Sequence, residues 1–287
     1  MRVAILGTGK MGGAMARRLH ELRHELTLWN RTKSRAEALG IGKVSATPAE
    51  AAQGVDVVIS ILTDAGAVRT AYLGENGAAK AARDQVFVEM STAGPDVVSE
   101  VKPAIERAGA KFIECPVVGS TPAIETGKAV LFAAGDDAAI KRALPVLEEL
   151  GEVRRIKDPE SAAKLKLIAN TALMGVSALA AELVAAGTAA GVEREDAFWV
   201  LTRLVPSLEV RRSGYIDHKY TPATFALRDG VKDLRLAADL YRRVGASTPL
   251  ADATRTLYER ALPAAGDLDL SAITTVYEHD PATRKPT

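Results

Sequence analysis

An α/β domain joined by one long helix to an all-α domain is the architecture the sequence predicts, and three observations predict it. The N-terminal half alternates short apolar runs with helical patterns, which is how a parallel sheet wound with helices reads. The half after Ser161 shows helical signals and no strand pattern. Between them residues 158–191 read as one helix, with Asp158 placed to cap free backbone N–H groups, Pro159 at the first helical position and Gly191 at a left-handed stop. The expected domains are therefore residues 1–160 and 161–287, with the interdomain helix over about 159–190.

At 1.5 Å per residue that helix is about 45–50 Å long. Lys166 and Asn170 lie four residues apart near its start, on one face and one turn from each other, whereas Lys164 points elsewhere. The stretch beyond Asn170 is nearly free of charge and rich in small residues, which predicts close packing against other helices. A membrane span is the competing reading, but Asn170, Ser177 and Glu182 interrupt the run before the ~20 apolar residues a bilayer requires.

The first element is an apolar run, residues 2–6, followed at once by Gly7-Thr8-Gly9-Lys10-Met11-Gly12 and a helical pattern through Leu22. In this strand, glycine turn and helix, Gly7 allows the tight turn, Gly9 admits a pyrophosphate to the backbone, and Gly12 lets helix and strand pack closely. The helix N-terminus then offers unpaired N–H groups and its positive dipole end to the phosphates of a dinucleotide. An ordinary glycine turn is the bland alternative; the strand before the motif and the helix after it favour a Rossmann-type dinucleotide fold.

A second strand, residues 25–29, ends in Asn30-Arg31-Thr32 and not in the carboxylate that would accept the ribose 2′-hydroxyl of NAD. An arginine fork with two polar neighbours suits a 2′-phosphate, so the expected cofactor is NADP. Thr32 as the cap of a helix over residues 33–39 is compatible with that reading. His20-Glu21-Leu22-Arg23-His24 matches the zinc-protease pattern, but it falls at the last turn of the first helix, and His218 and His279 carry no matching signal. No metal is expected.

Further strands are expected at 55–62, 85–90 and 111–115, with helices at 47–53, 65–73 and 96–108 between them. Ligands of open parallel sheets lie beyond the carboxyl ends of the strands. Leu62-Thr63-Asp64, Ser91-Thr92-Ala93 and Pro116-Val117-Val118-Gly119-Ser120 therefore share a rim with the glycine turn. A strand at 129–134, a helix at 137–150 and a strand at 153–156 complete the domain. Later helices are expected at 193–204, 206–215, 225–244, 249–262 and 271–277, with Phe198, Trp199 and Tyr241 in the core and the tail from 278 fraying.

The 287 residues carry a net charge of +1, and no basic stripe interleaved with aromatics appears, so nucleic acid is not an expected partner. The single cysteine, Cys115, excludes an intrachain disulfide and fits a reducing compartment; with no export signal at the N-terminus, a cytoplasmic location is expected.

In motif order the chain resembles the β-hydroxyacid dehydrogenase family, which includes 3-hydroxyisobutyrate dehydrogenases and glyoxylate and succinic-semialdehyde reductases. The resemblance spans nearly the whole length. Gly7 to Gly12 with Met11 resembles the cofactor loop, Asn30-Arg31-Thr32 the NADP-preferring second strand, and Glu89-Met90-Ser91-Thr92 the strand near the nicotinamide. Residues 114–120 with Gly127 resemble the substrate loop, Lys166 with Asn170 the catalytic lysine and its asparagine, and Lys232-Asp233-Leu234 a C-terminal motif whose lysine reaches the cofactor. Val118 stands where the loop usually has a serine, Ser120 where it has a glycine, and Ala169 where the first of two asparagines occurs.

What the resemblance implies is reversible hydride transfer between NADP(H) and a small aldehyde, keto or hydroxy compound by a homodimer or homotetramer. Lys166 would be the general acid in reduction and Asn170 would orient the lysine or the substrate. Cofactor contacts are expected at Gly7, Gly9, Lys10, Met11, Gly12, Asn30, Arg31, Thr32, Leu62, Thr63, Thr92 and Lys232, and substrate contacts at Val118, Gly119, Ser120, Lys166 and Asn170. The apolar Val118 also fits an imine reductase on the same fold, and a non-catalytic NADP-binding protein is the non-enzyme alternative; the presence of Lys166 weighs against both.

Overall fold

The computed structural model describes residues 1–278. They divide into two compact units, residues 1–166 and 167–278 of the described chain. The division falls inside the long helix, six residues beyond the expected boundary, because the first turns of that helix belong to the first unit: Ala163 joins one of its apolar clusters.

The first unit begins with β1 (Arg2–Leu6), α1 (Lys10–Glu21), β2 (Glu25–Trp29), α2 (Lys33–Glu37), β3 (Lys43–Val44), α3 (Pro48–Ala52), β4 (Val57–Ser60) and α4 (Ala65–Leu73). A short 3₁₀ turn at Ala78–Ala81 precedes β5 (Val86–Glu89), α5 (Pro95–Arg107), β6 (Lys111–Glu114), β7 (Val117–Val118), α6 (Thr121–Glu125), β8 (Ala129–Gly135), α7 (Asp137–Leu150) and β9 (Gly151–Arg155). The nine strands form one sheet in the order β3-β2-β1-β4-β5-β6-β8-β7, with β9 on β8. From β3 to β6 all neighbours are parallel; β8 then runs antiparallel to β6 and to β7, and parallel to β9. This is the Rossmann-type α/β fold expected.

Alternation along the strands divides the apolar residues between two faces. Val3, Ile5, Val57, Ile59, Val86 and Val88 meet α1 and α7 on one side. Ala4, Leu6, Val58, Phe87 and Phe112 meet α3, α4 and α5 on the other. Both faces are therefore covered, which is why these strands read as nearly continuous apolar runs. β3, β7 and α6 were absent from the sequence expectation: two-residue strands and a five-residue helix are too short to show a period.

The long helix α8 is Pro159–Ala189, 31 residues in one piece. Its start is capped as expected, with the Ser161 N–H donating to Asp158 Oδ1 at 2.8 Å, and Gly191 takes the left-handed φ of 89°. By length and composition it is the one helix among the described residues able to cross a bilayer, yet 44% of its most apolar window is buried. Met174, Ala178, Ala181 and Val184 form part of the second unit's core, so a core helix accounts for its composition.

That unit continues with α9 (Arg194–Leu204), a 3₁₀ turn at Pro206–Arg211, α10 (Arg212–Asp217), α11 (Leu227–Arg243), α12 (Pro249–Ala265), a 3₁₀ turn at Leu270–Ile273 and α13 (Thr274–Glu278). The single helices expected at 206–215 and 271–277 are thus each a 3₁₀ turn running into an α-helix. Phe198 is fully buried and stacks on Tyr215, but Trp199 is 58% exposed and lies under Arg203. Successive side chains on a helix diverge by about 100°, so only one of the pair faces the core; the placement of Trp199 in the core is corrected. Tyr241 is half-buried beside Leu167, Ala237 and Leu240. His279 and the remainder of the tail lie outside the described residues.

Asp269 organises the approach to α11. Its carboxylate is buried and accepts from Arg211 Nε at 3.1 Å, from the N–H and hydroxyl of Thr224, from the Phe225 N–H, and from the N–H and hydroxyl of Ser271. Burial alone would raise its pKa, but Arg211 and these donors outweigh it and hold the carboxyl below its usual range. A carboxylate so held contributes stability above the unfolded-state pKa and loses it as pH falls through the folded value.

Candidate active site

The glycine turn is set by backbone contact. A Cβ on Gly12 would lie 1.8 Å from the Gly7 carbonyl oxygen, and one on Gly7 would lie 2.2 Å from the Ile61 carbonyl oxygen. Gly7 also has a φ of 101°, which a side chain would resist. Gly9 differs: a Cβ there meets nothing within 4 Å, and its φ of −69° is open to any residue. The helix α1 that it caps has no side-chain cap and no acidic residue in its first turn, with Lys10 and Met11 as its first two residues. Open space before uncapped N–H groups is the cradle a pyrophosphate requires, so these residues fit a dinucleotide cofactor.

Asn30 performs a task the sequence did not reveal. Its Oδ1 accepts the Thr8 N–H at 3.1 Å and its Nδ2 donates to the Thr32 carbonyl at 2.9 Å. Its amide therefore ties the glycine turn to the turn after β2, and Asn30 acts here as a holder of that turn. Arg31 is exposed next to it. Thr32 occupies the cap position of α2, but its hydroxyl makes no cap bond, so the helix-capping explanation of Thr32 is not what the side chain does.

The other rim residues follow β4, β5 and β6. Leu62 donates its N–H to Ser91 Oγ at 2.8 Å, which joins two rim loops. The Thr63 hydroxyl donates to Asp64, whose other oxygen caps α4 at the Ala67 N–H. Thr92 is half-buried between the buried Ser91 and Ala93. Val118 lies on β7 opposite Val130; Gly119, with φ 152°, packs where a Cβ would meet Ala123 and Ala129 at 3.2 Å; Ser120 precedes α6.

His20 and His24 do not share a helical face, because α1 ends at Glu21; His24 instead pairs with Glu149 at 2.7 Å. Among the described residues no group of three or more His, Cys, Asp or Glu side chains is arranged to hold a metal. Burial pushes the Cys115 thiol far up, so this cysteine is a poor nucleophile.

On α8, Lys166 is only 9% exposed. The side chain of Lys164, two residues away, is 42% exposed and pairs with Glu160 at 3.3 Å. The same helix thus carries one lysine at the surface and one withdrawn from water, and the withdrawn one stands a turn before the buried Asn170. Within the second unit the Asn170 Nδ2 donates to Asp233 Oδ2 at 2.5 Å, and Lys232 Nζ donates to Asp233 Oδ1 at 2.6 Å. Asp233 is buried and uses both oxygens to orient the two residues expected in the site. It was not among the expected site residues; the Lys232-Asp233-Leu234 motif was the signal that could have found it.

The open position at Gly9 generates a prediction. Gly9→Ala should leave the melting temperature of the cofactor-free protein unchanged within about a degree while raising the dissociation constant for NADPH at least roughly tenfold, since the methyl group fills only the phosphate space. A fluorescence titration that finds wild-type affinity would show that no pyrophosphate approaches Gly9.

Two families of known sequences match this chain in succession: the NAD binding domain of 6-phosphogluconate dehydrogenase over residues 2–164, and the NAD-binding domain of NADP-dependent 3-hydroxyisobutyrate dehydrogenase over residues 161–277. An uncharacterized oxidoreductase of Bacillus subtilis (strain 168) is 30% identical over 283 residues, covering 95% of this chain and 98% of that one. Glyoxylate/succinic semialdehyde reductase 2 of Arabidopsis thaliana, a chloroplastic protein, is 31% identical, covering 94% of this chain and 78% of the relative. Cytokine-like nuclear factor N-PAC of Danio rerio is 29% identical over 97% of this chain, which spans only 62% of that relative's length. The crystal structure of a 3-hydroxyisobutyrate dehydrogenase from Salmonella typhimurium is 27% identical, with a TM-score of 0.84 over 96% of this chain and 99% of that one. Taken with the glycine cradle and the two-unit architecture, these matches show that the chain belongs to the β-hydroxyacid dehydrogenase family of NAD(P)-dependent oxidoreductases.

Proposed function

We propose that the chain reduces a small carbonyl compound of the semialdehyde-acid kind with NADPH, reversibly, and that Lys166 supplies the proton. The burial of Lys166 beside the more exposed Lys164 carries this reading. A lysine withdrawn from water without a role is costly, and desolvation is also how a lysine, which titrates near 10.4 in water, is brought toward acid–base work at neutral pH.

The nicotinamide supplies the hydride chemistry. The chain's own residues orient, exclude water and move the proton. In reduction Lys166 Nζ gives its proton to the carbonyl oxygen as the carbon accepts hydride; in oxidation the amine takes the hydroxyl proton back. Asn170, held through its Nδ2 by Asp233, is fixed in orientation, which suits positioning of the reacting group. The name of the Arabidopsis relative supports an aldehyde-acid substrate. Val118 removes the hydroxyl that the family's loop offers a substrate carboxylate and narrows that position, so the acid group of such a substrate has only the backbone donors of the same loop to hold it.

A homodimer is proposed as the working form. Ile168, Ala172, Leu179, Leu183, Ala186 and Ala190 are exposed on α8 and just past it at intervals of three, four or seven. Such a seam is suited to burial against a second copy. Light scattering on the purified protein should report twice the chain mass, or four times for a tetramer, and Leu179→Glu with Leu183→Glu should yield monomer; a monomeric wild type would exclude the proposal. The buried single cysteine accords with a reducing, cytoplasmic setting, which is proposed on that basis.

NADP preference is proposed on Arg31, an exposed guanidinium where a carboxylate would favour NAD. Arg31→Ala should raise the KM for NADPH roughly ten- to a hundredfold, the worth of a charge-assisted contact of about 1.5–3 kcal/mol, with little change for NADH. Equal losses with both cofactors would remove the phosphate role.

Lys166→Ala should lower turnover by about 10²–10⁴-fold with NADPH affinity near wild type. Lys166→Arg restores charge without a transferable proton and should stay poor, whereas Lys164→Ala should be nearly silent. Should Lys166→Ala keep most of its turnover on every carbonyl substrate while cyclic imines are reduced, imine reduction replaces this reading.

A further inference from the structure

Beneath the rim, the carboxyl ends of β4, β5 and β6 place Ser60, Glu89 and Glu114 side by side as register partners on one face of the sheet. Parallel neighbours are about 4.8 Å apart, so two carboxyl groups meet in a layer bedded on Phe87 and Phe112. Glu89 and Glu114 are 2% and 3% exposed. Glu89 Oε2 accepts from the Ser60 hydroxyl at 2.5 Å, Ser60 Oγ lies 2.5 Å from the Tyr72 hydroxyl, and Glu89 Oε1 accepts the Ser91 N–H at 2.7 Å. Ser91 Oγ in turn accepts the Leu62 N–H. One buried chain, Tyr72–Ser60–Glu89–Ser91–Leu62, therefore ties α4 and β4 to both central rim loops. Glu114 Oε2, next to it, is buried with no hydrogen-bond partner.

We infer that Glu89 is a positioning residue that holds the Leu62 and Ser91 loops for the cofactor, and that the strut works only while Glu89 and Glu114 keep a proton between them. The inference rests on the cofactor lying on this rim. The groups facing the pair are Ser60 from β4, Tyr72 from α4 and Ser91 from the turn after β5. Desolvation raises both carboxyls, and the charge of Glu89 raises Glu114 further, whereas Ser60 and Ser91 donate to Glu89 and offset part of its shift. The proton therefore rests on Glu114 and the charge on Glu89. Removing the last proton sets two like charges side by side in an apolar bed, and the strut loses its geometry.

The sign follows from the raised pKa of Glu114. Stability from its neutral form is complete below the unfolded value, near 4.3, and is lost as pH rises toward the folded value. The tests are Glu114→Gln, which mimics the protonated acid and cannot ionise, and Glu89→Leu, which keeps volume and removes the strut. The wild type should lose NADPH affinity by roughly tenfold or more as pH is raised from neutral into the alkaline range, each tenfold loss corresponding to about 1.4 kcal/mol. Glu114→Gln should be flat over the same range, and its melting temperature should rise relative to wild type as pH increases. Glu89→Leu should bind about tenfold more weakly at every pH. A Glu114→Gln curve with the wild-type alkaline decline, melting curves that stay parallel with pH, or wild-type affinity in Glu89→Leu would each overturn the inference. Absence of NADPH and NADH binding to the wild type would instead sink the cofactor reading, and the melting arm alone would then decide whether the pair holds a proton.

Discussion

The contact between the backbones of Gly7 and Gly12 is the constraint on which the first unit depends. With 1.8 Å between the Gly7 oxygen and a hypothetical Cβ on Gly12, no side chain can enter. Helix α1 is thereby pressed against β1, and its N-terminus is aimed across the carboxyl end of the sheet. That end is where parallel strands deliver their following loops, so one steric fact decides where the open helix end points and which loops stand beside it. At Gly9, by contrast, a Cβ would meet nothing within 4 Å.

Buried carboxylates hold candidate site residues within each unit. Glu89 fastens two rim loops, Asp233 fastens Asn170 and Lys232, and Asp269 fastens the segment that leads into α11. Each is surrounded by several donors, because an ionised group in a dry interior is tolerated only when its oxygens are satisfied. Breaking a buried pair such as Arg211 and Asp269 typically costs about 3–5 kcal/mol, most of it from the group left behind. Glu114 departs from this rule: it has an oxygen with no donor, and burial raises its pKa well above the usual carboxylate range.

Much of this was legible in the chain. Strands β1 and β2, helix α4 and the whole of α8 were readable to within a residue or two, because each has either a clean apolar period or a terminal signal such as Asp158-Pro159 or Gly191. The glycine turn was legible for the same local reason. The 3₁₀ turns at Pro206–Arg211 and Leu270–Ile273 were not, since a 3₁₀ start and an α-helical continuation share nearly one pattern over six residues. Trp199 was misplaced because aromatic character says how much surface a residue could bury and nothing about which way it faces.

By itself the sequence determined the order of elements, the dinucleotide turn, the two-part division and the candidate pair Lys166 and Asn170. All of these rest on spacing between residues close in the chain. Only the tertiary structure decided that Lys166 is buried while Lys164 is not, that Asn30 spends its amide on Thr8 and Thr32, that Asp233 stands behind Asn170 across 63 positions, and that Glu89 and Glu114 become neighbours. Burial and pairing between distant positions depend on how the strands and helices are brought into register, and no local pattern encodes that register.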